Sequence, residues 1–61
     1  MSINYKRLEA GKYTTEINGT VYHVERLLSG SWVIFTLDRS VREYKNSKKD
    51  ATVWLYNNIA A

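Results

Sequence analysis

The chain has 61 residues, of which 44% are hydrophobic, with two Trp, five Tyr and one Phe, and it carries a net charge of +3. That length allows one domain (residues 1–61) and little buried surface, and the absence of Cys excludes disulfides, thiolate metal sites and cysteine nucleophiles. No apolar run approaches the ~20 residues of a membrane span, and Met1–Gly11 lacks the apolar core of a signal peptide, so the expectation is a cytoplasmic protein without a membrane partner.

Met1–Lys6 reads as a loose lead-in, with Leu8 tucked against whatever follows, and Gly11 breaks the chain before the first strand. Strands are expected at about 12–17, 20–28 and 31–38. Asn18-Gly19 between the first two is the strongest short-range hairpin signal, since a two-residue type I′ turn needs positive φ at both central positions. Asp38-Arg39-Ser40 is turn chemistry, and Val41–Lys45 alternates as a candidate short fourth strand. Ser47 is a good helix N-cap, with Asp50 three residues on in capping-box position. From Lys48 to about Ala60, Ala51, Trp54, Leu55 and Ile59 share one stripe at 3.6 periodicity, while Asn57 and Asn58 weaken the last turns. The fold class is therefore α+β: a three-stranded antiparallel sheet, with 41–45 as a short fourth strand, packed against one C-terminal helix.

The Asn18-Gly19 turn sets Ile17 opposite Thr20, Thr15 opposite Tyr22 and Tyr13 opposite Val24. Opposed residues lie on the same side of a sheet. If Ser29-Gly30 is likewise a two-residue loop, or Leu28–Ser31 a four-residue one, Leu27 faces Trp32 and Val24 faces Phe35. The expected core is then Tyr22, Val24, Phe35 and Leu37 against Trp54 and Leu55 of the helix. Val21, Leu27, Trp32 and Ile34 fall on the opposite, mostly polar side, where four apolar neighbours including a Trp read as a protein-contact surface. A three-residue loop, Ser29–Ser31, would slip the third strand and turn Trp32 inward in exchange for Val33 and Phe35. Alternatively, Tyr5 and Leu8 fold over the patch.

Charge is uneven along the chain. Residues 1–38 balance, and the excess comes from Arg39, Arg42, Lys45, Lys48 and Lys49 against Glu43 and Asp50. These five are the candidate nucleic-acid contacts, with Lys48 and Lys49 beside a helix N-terminus able to hold phosphate. The alternative is a solvated basic face. Catalysis is not expected: the single His23 sits mid-strand on the solvent side beside Thr14, without a serine elbow, paired carboxylates or a glycine-rich phosphate loop. One His without Cys cannot build a closed metal site, so neither metal nor cofactor is expected, and no small-molecule substrate.

The strand-strand-strand-helix order resembles plant ethylene-response DNA-binding domains and integrase arm-binding domains, which bind through a basic sheet face. Separately, the run Gly11-Lys-Tyr13, Asn18-Gly19, Tyr22-His-Val24-Glu-Arg26, Gly30-Ser-Trp32 and Lys48-Lys49-Asp50-Ala51 is similar to small orphan proteins in bacteriophage genomes. That resemblance covers most of the chain and implies a cytoplasmic accessory protein that binds something in the host or on DNA. The expected function is that of a small non-enzymatic binding module acting through protein–protein interaction or self-association, with nucleic-acid binding through 39–49 as the alternative.

Overall fold

The computed structural model describes residues 3–60. An antiparallel meander of five strands runs in chain order: β1 (Lys6–Glu9), β2 (Lys12–Ile17), β3 (Thr20–Arg26), β4 (Trp32–Phe35) and β5 (Arg42–Lys45), followed by helix α1 (Lys48–Leu55). The helical path continues as a five-residue π segment, Tyr56–Ala60, in which the Asn58 side-chain amide donates to the Trp54 carbonyl at 2.9 Å. The α+β class and the C-terminal helix agree with the sequence, but the sheet has five strands. The fourth is formed, and β1 occupies what reads as lead-in. Its residues Lys6, Arg7, Leu8 and Glu9 are all exposed, and a bulge between Arg7 and Glu9 interrupts its pairing. A strand with no buried face leaves no period-two signal. Leu8, expected to tuck in, is 53% exposed; Met1 and Ser2 lie outside the described residues.

The two central hairpins differ by one residue, and the reason is backbone chemistry. Asn18 (φ 52°) and Gly19 (φ 83°) both take positive φ, and the β2–β3 register is Tyr13↔Val24, Thr15↔Tyr22 and Ile17↔Thr20, as the sequence predicts. Ser29 does not take positive φ; among the described non-glycine residues only Asn18 and Arg39 do. A short Asn side chain visits the left-handed region far more readily than Ser. The second connection therefore expands to Leu28-Ser29-Gly30, with Gly30 alone at positive φ (93°), closed by Leu27 N–H to the Ser31 carbonyl at 2.7 Å and Gly30 N–H to the Leu27 carbonyl at 2.9 Å. Three-residue loops with a left-handed final residue are the next commonest hairpin type.

That choice reverses the third strand of the expected sheet. Val24 pairs with Ile34 and Arg26 with Trp32, so Ile34 and Trp32 face the helix while Phe35 and Val33 face away. The core is Tyr22, Val24, Ile34, Ala51 and Leu55, with Ile3, Tyr5, Ile17, Trp32, Val41, Trp54 and Ile59 packed around it. Phe35 and Leu37, expected in the core, lie outside it, and Leu37 is 79% exposed. Of the expected helix stripe, Ala51 and Leu55 are fully buried against the sheet and Trp54 and Ile59 only partly; Ser47 Oγ accepts from Asp50 N–H at 3.0 Å as the expected cap.

The β4–β5 turn is held by one carboxylate. Asp38 Oδ1 accepts from Thr36 Oγ1 at 2.7 Å, from Ser40 N–H at 2.9 Å and from Ser40 Oγ at 2.7 Å. The Thr36 hydroxyl, with the Ser40 amide and hydroxyl behind it, lowers the Asp38 carboxyl from 3.8 to about 2.

Two outcomes follow from these contacts. Ile34→Ala, which empties a fully buried site, should cost roughly 2–5 kcal/mol and Phe35→Ala distinctly less, as read by urea unfolding; the reverse order would contradict the register. Because the Asp38 carboxyl is depressed on folding, its contribution is complete above about pH 4 and is lost as pH falls towards about 2. Thermal melts across that window should therefore show an acid limb that Asp38→Asn flattens.

Candidate functional site

Alternation along the five strands separates two faces. The inner face carries the core and the helix. The outer face carries two full cross-sheet rows, Lys6–Thr14–His23–Phe35–Arg42 and Glu9–Lys12–Glu25–Val33–Tyr44. Val21, opposite Glu16, adds to this face at the β2–β3 end.

The four residues expected to form a protein-contact patch are not brought together. Ile34 is fully buried in the core. Trp32 lies on the inner face, its ring 6.1 Å from that of Tyr13. Leu27 is half-buried in the β3–β4 connection. Only Val21 stays on the outer face, 47% exposed. The cause is the three-residue loop, which exchanges Trp32 and Ile34 for Val33 and Phe35.

An apolar surface nevertheless forms, from different residues. Val33 and Phe35 follow each other along β4 on the outer side, with Leu37 continuing past the strand end. The Phe35 ring stacks on His23 at 5.0 Å and 13°, and Tyr44 flanks Val33 on β5. Val21, His23 and Leu37 line one continuous depression. The helix lies on the other side of the sheet, yet Val33 is only 7% exposed among its row neighbours and Phe35 is half-buried, so the exposed apolar surface of this ridge is that of Val21, Leu37 and Tyr44. Its charges balance: Lys6, Lys12 and Arg42 face the same side as Glu9, Glu16 and Glu25. The signal for this surface was Ser29, a residue poorly suited to the first of the two positive-φ positions that a Ser29-Gly30 loop needs.

The basic segment is also dispersed. Arg39 sits in the β4–β5 turn at φ 67°. Arg42 is on the outer face beside Phe35, whereas Lys45 is on the inner face beside Trp32. Lys49 is exposed on the first helical turn. Lys48 is engaged internally: its ammonium lies 3.8 Å from the Tyr13 ring centre and 4.8 Å from that of Tyr5. Tyr5 and Tyr13 meet edge-on at 5.8 Å. The Thr52 hydroxyl donates to the Lys48 carbonyl at 2.9 Å, which leaves the Tyr5 hydroxyl to donate to Thr52 at 2.8 Å. Burial raises the Tyr5 pKa, opposed in part by that hydrogen bond. Lys48 thus ties the helix start to β2 and the N-terminal segment, and the first helical turn presents Lys49 without it.

No family model matches the chain, and no curated protein or solved structure is significantly similar to it. Among the described residues, no helix is long and apolar enough to cross a membrane, and no group of His, Asp or Glu side chains is placed to hold a metal ion.

If Lys48 acts through its rings, Lys48→Met should lower stability by about 0.5–2 kcal/mol, while Lys49→Gln leaves it nearly unchanged. Denaturant titration followed by Tyr and Trp fluorescence measures both.

Proposed function

We propose that this chain is a non-enzymatic binding module that docks a protein partner on the outer face of its sheet. The observation that carries the reading is the group of exposed Val21, Leu37 and Tyr44 on the outer face, set around the half-buried His23–Phe35 stack. A contiguous exposed apolar patch with a polar rim is the usual mark of an interaction surface, and aromatic side chains contribute most of the energy at such surfaces. The balanced rim, Lys6, Lys12 and Arg42 among Glu9, Glu16 and Glu25, favours a protein surface over a polyanion. The five cations of 39–49 point in different directions, so a phosphate backbone lying along one side of the domain meets only some of them.

The test is partner capture by the wild type and by a Val21→Lys/Leu37→Lys variant, each at about 50 mM and about 500 mM salt. Both positions are largely exposed, so the variant should keep the wild-type circular dichroism spectrum. Apolar docking predicts capture that survives the higher salt and is lost in the variant. Capture that collapses with salt, disappears on nuclease treatment and grows stronger with the added lysines would instead establish nucleic-acid binding through the basic residues.

A further inference from the structure

The two edges of the sheet are not equivalent. β1 is bulged, and all four of its side chains are exposed, the usual means by which an edge is made unfit for pairing. β5 is regular, pairing with β4 as Phe35↔Arg42, Ile34↔Glu43, Val33↔Tyr44 and Trp32↔Lys45. Thr36 N–H donates to the Val41 carbonyl at 3.2 Å. Because hydrogen-bonded pairs alternate along an antiparallel ladder, Val41, Glu43 and Lys45 direct their backbone groups at β4. Arg42 and Tyr44 direct theirs outward, to the open edge. On the helix side of that edge lies a groove of about 440 Å³ lined by Lys45, Val53, Trp54 and Asn57 among others. Tyr44 is 55% exposed and Val53 49%.

We propose that β5 pairs antiparallel with β5 of a second copy, joining two sheets into one across a two-fold axis at Tyr44. The register follows from charge. An axis perpendicular to the sheet keeps outer side chains with outer ones, so an odd position pairs only with an odd position. With Tyr44 opposite Tyr44 of the second copy, the outward backbone groups bond reciprocally, and Glu43 faces Lys45 of the other chain twice. Those are non-hydrogen-bonded pairs, in which side chains approach most closely. Slipping one pair in one direction sets Glu43 against Glu43; slipping in the other sets Lys45 against Lys45. Both neighbouring registers place like charges on the axis, so this one is selected against its alternatives. Among the described residues, Glu43 and Lys45 have no ion-pair partner within the chain; the one ion pair joins Lys12 to Glu9. The occupant is therefore a second copy, whose strand supplies the complementary charge sequence. This edge adjoins the outer-face ridge at Tyr44 but uses the strand's backbone and its inner-face charges, and pairing would set two such ridges side by side.

Sedimentation equilibrium tests the proposal. The wild type should form a dimer. Glu43→Lys alone and Lys45→Glu alone should each weaken it by about tenfold or more, since two attractive contacts become repulsive. An equimolar mixture of the two single variants should dimerise as the wild type does. In the mixed dimer the lysine introduced in one chain meets the glutamate introduced in the other, and the unchanged Lys45 of the first meets the unchanged Glu43 of the second. Tyr44→Pro removes an outward N–H that β4 does not use, so it should give a folded monomer by circular dichroism. A wild type that stays monomeric at high concentration overturns the proposal. So does a dimer indifferent to both charge reversals, or single variants that fail to recover on mixing. The Val21→Lys/Leu37→Lys variant should dimerise normally, which separates this result from the fate of the outer-face reading.

Discussion

The structure depends on which turn residues accept positive φ. Asn18 does and Ser29 does not, and this difference of one backbone conformation sets the β3–β4 register. Because side chains alternate with a period of two, a one-residue change in pairing carries the whole of β4 through the sheet. Ile34 then meets Val24 and Leu55 in the core. Each of these three fully buried side chains contributes about 1.5–3 kcal/mol relative to exposure, a large share for a domain whose net stability is small. The same step places Phe35 and Val33 on the opposite side, so the proposed docking face and the core are two consequences of one loop.

A second set of contacts closes the inner face where the aliphatic core ends. Tyr5, Tyr13 and Trp32 form a chain of rings from the N-terminal segment across β2 to β4, and the Lys48 ammonium sits over two of them. Thr15, buried in β2, donates its hydroxyl to the Asn4 carbonyl at 2.8 Å, which fastens the segment before β1 on the same side. These links join residues far apart in sequence and compensate for a core with few fully buried side chains. They also withdraw a lysine from the basic segment, which is why the charge excess counted along the chain does not become a single basic face.

The outer-face ridge and the open β5 edge meet at Tyr44, whose ring lies on the outer face and whose backbone groups point along the edge. The two proposed surfaces are therefore geometrically adjacent but chemically distinct: the first is apolar with a balanced rim, the second a strand edge with alternating charge. The turn held by Asp38 stands at the start of β5 and fixes the approach of that strand to β4, so the edge inherits its regularity from the Thr36–Asp38–Ser40 hydrogen bonds.

Much of this architecture is written in local chemistry. Asn18-Gly19 determines the β2–β3 pairing, Ser47 caps the helix, and the stripe of Ala51 and Leu55 determines which helical face is buried, because each rests on residues within a turn or two of one another. β1 was illegible, since four exposed side chains on a bulged edge leave no alternation to read. The side of the sheet on which Trp32, Ile34, Phe35 and Val33 fall depends on loop length, which the sequence leaves open; the loop that forms is Leu28–Gly30, one residue earlier than the Ser29–Ser31 alternative, and it sets Arg26 opposite Trp32. The dispersal of Arg39, Arg42, Lys45, Lys48 and Lys49 was likewise beyond the sequence. Their nearness along the chain says nothing about direction, and only the alternation of β5 and the rings beneath Lys48 decide where each charge points.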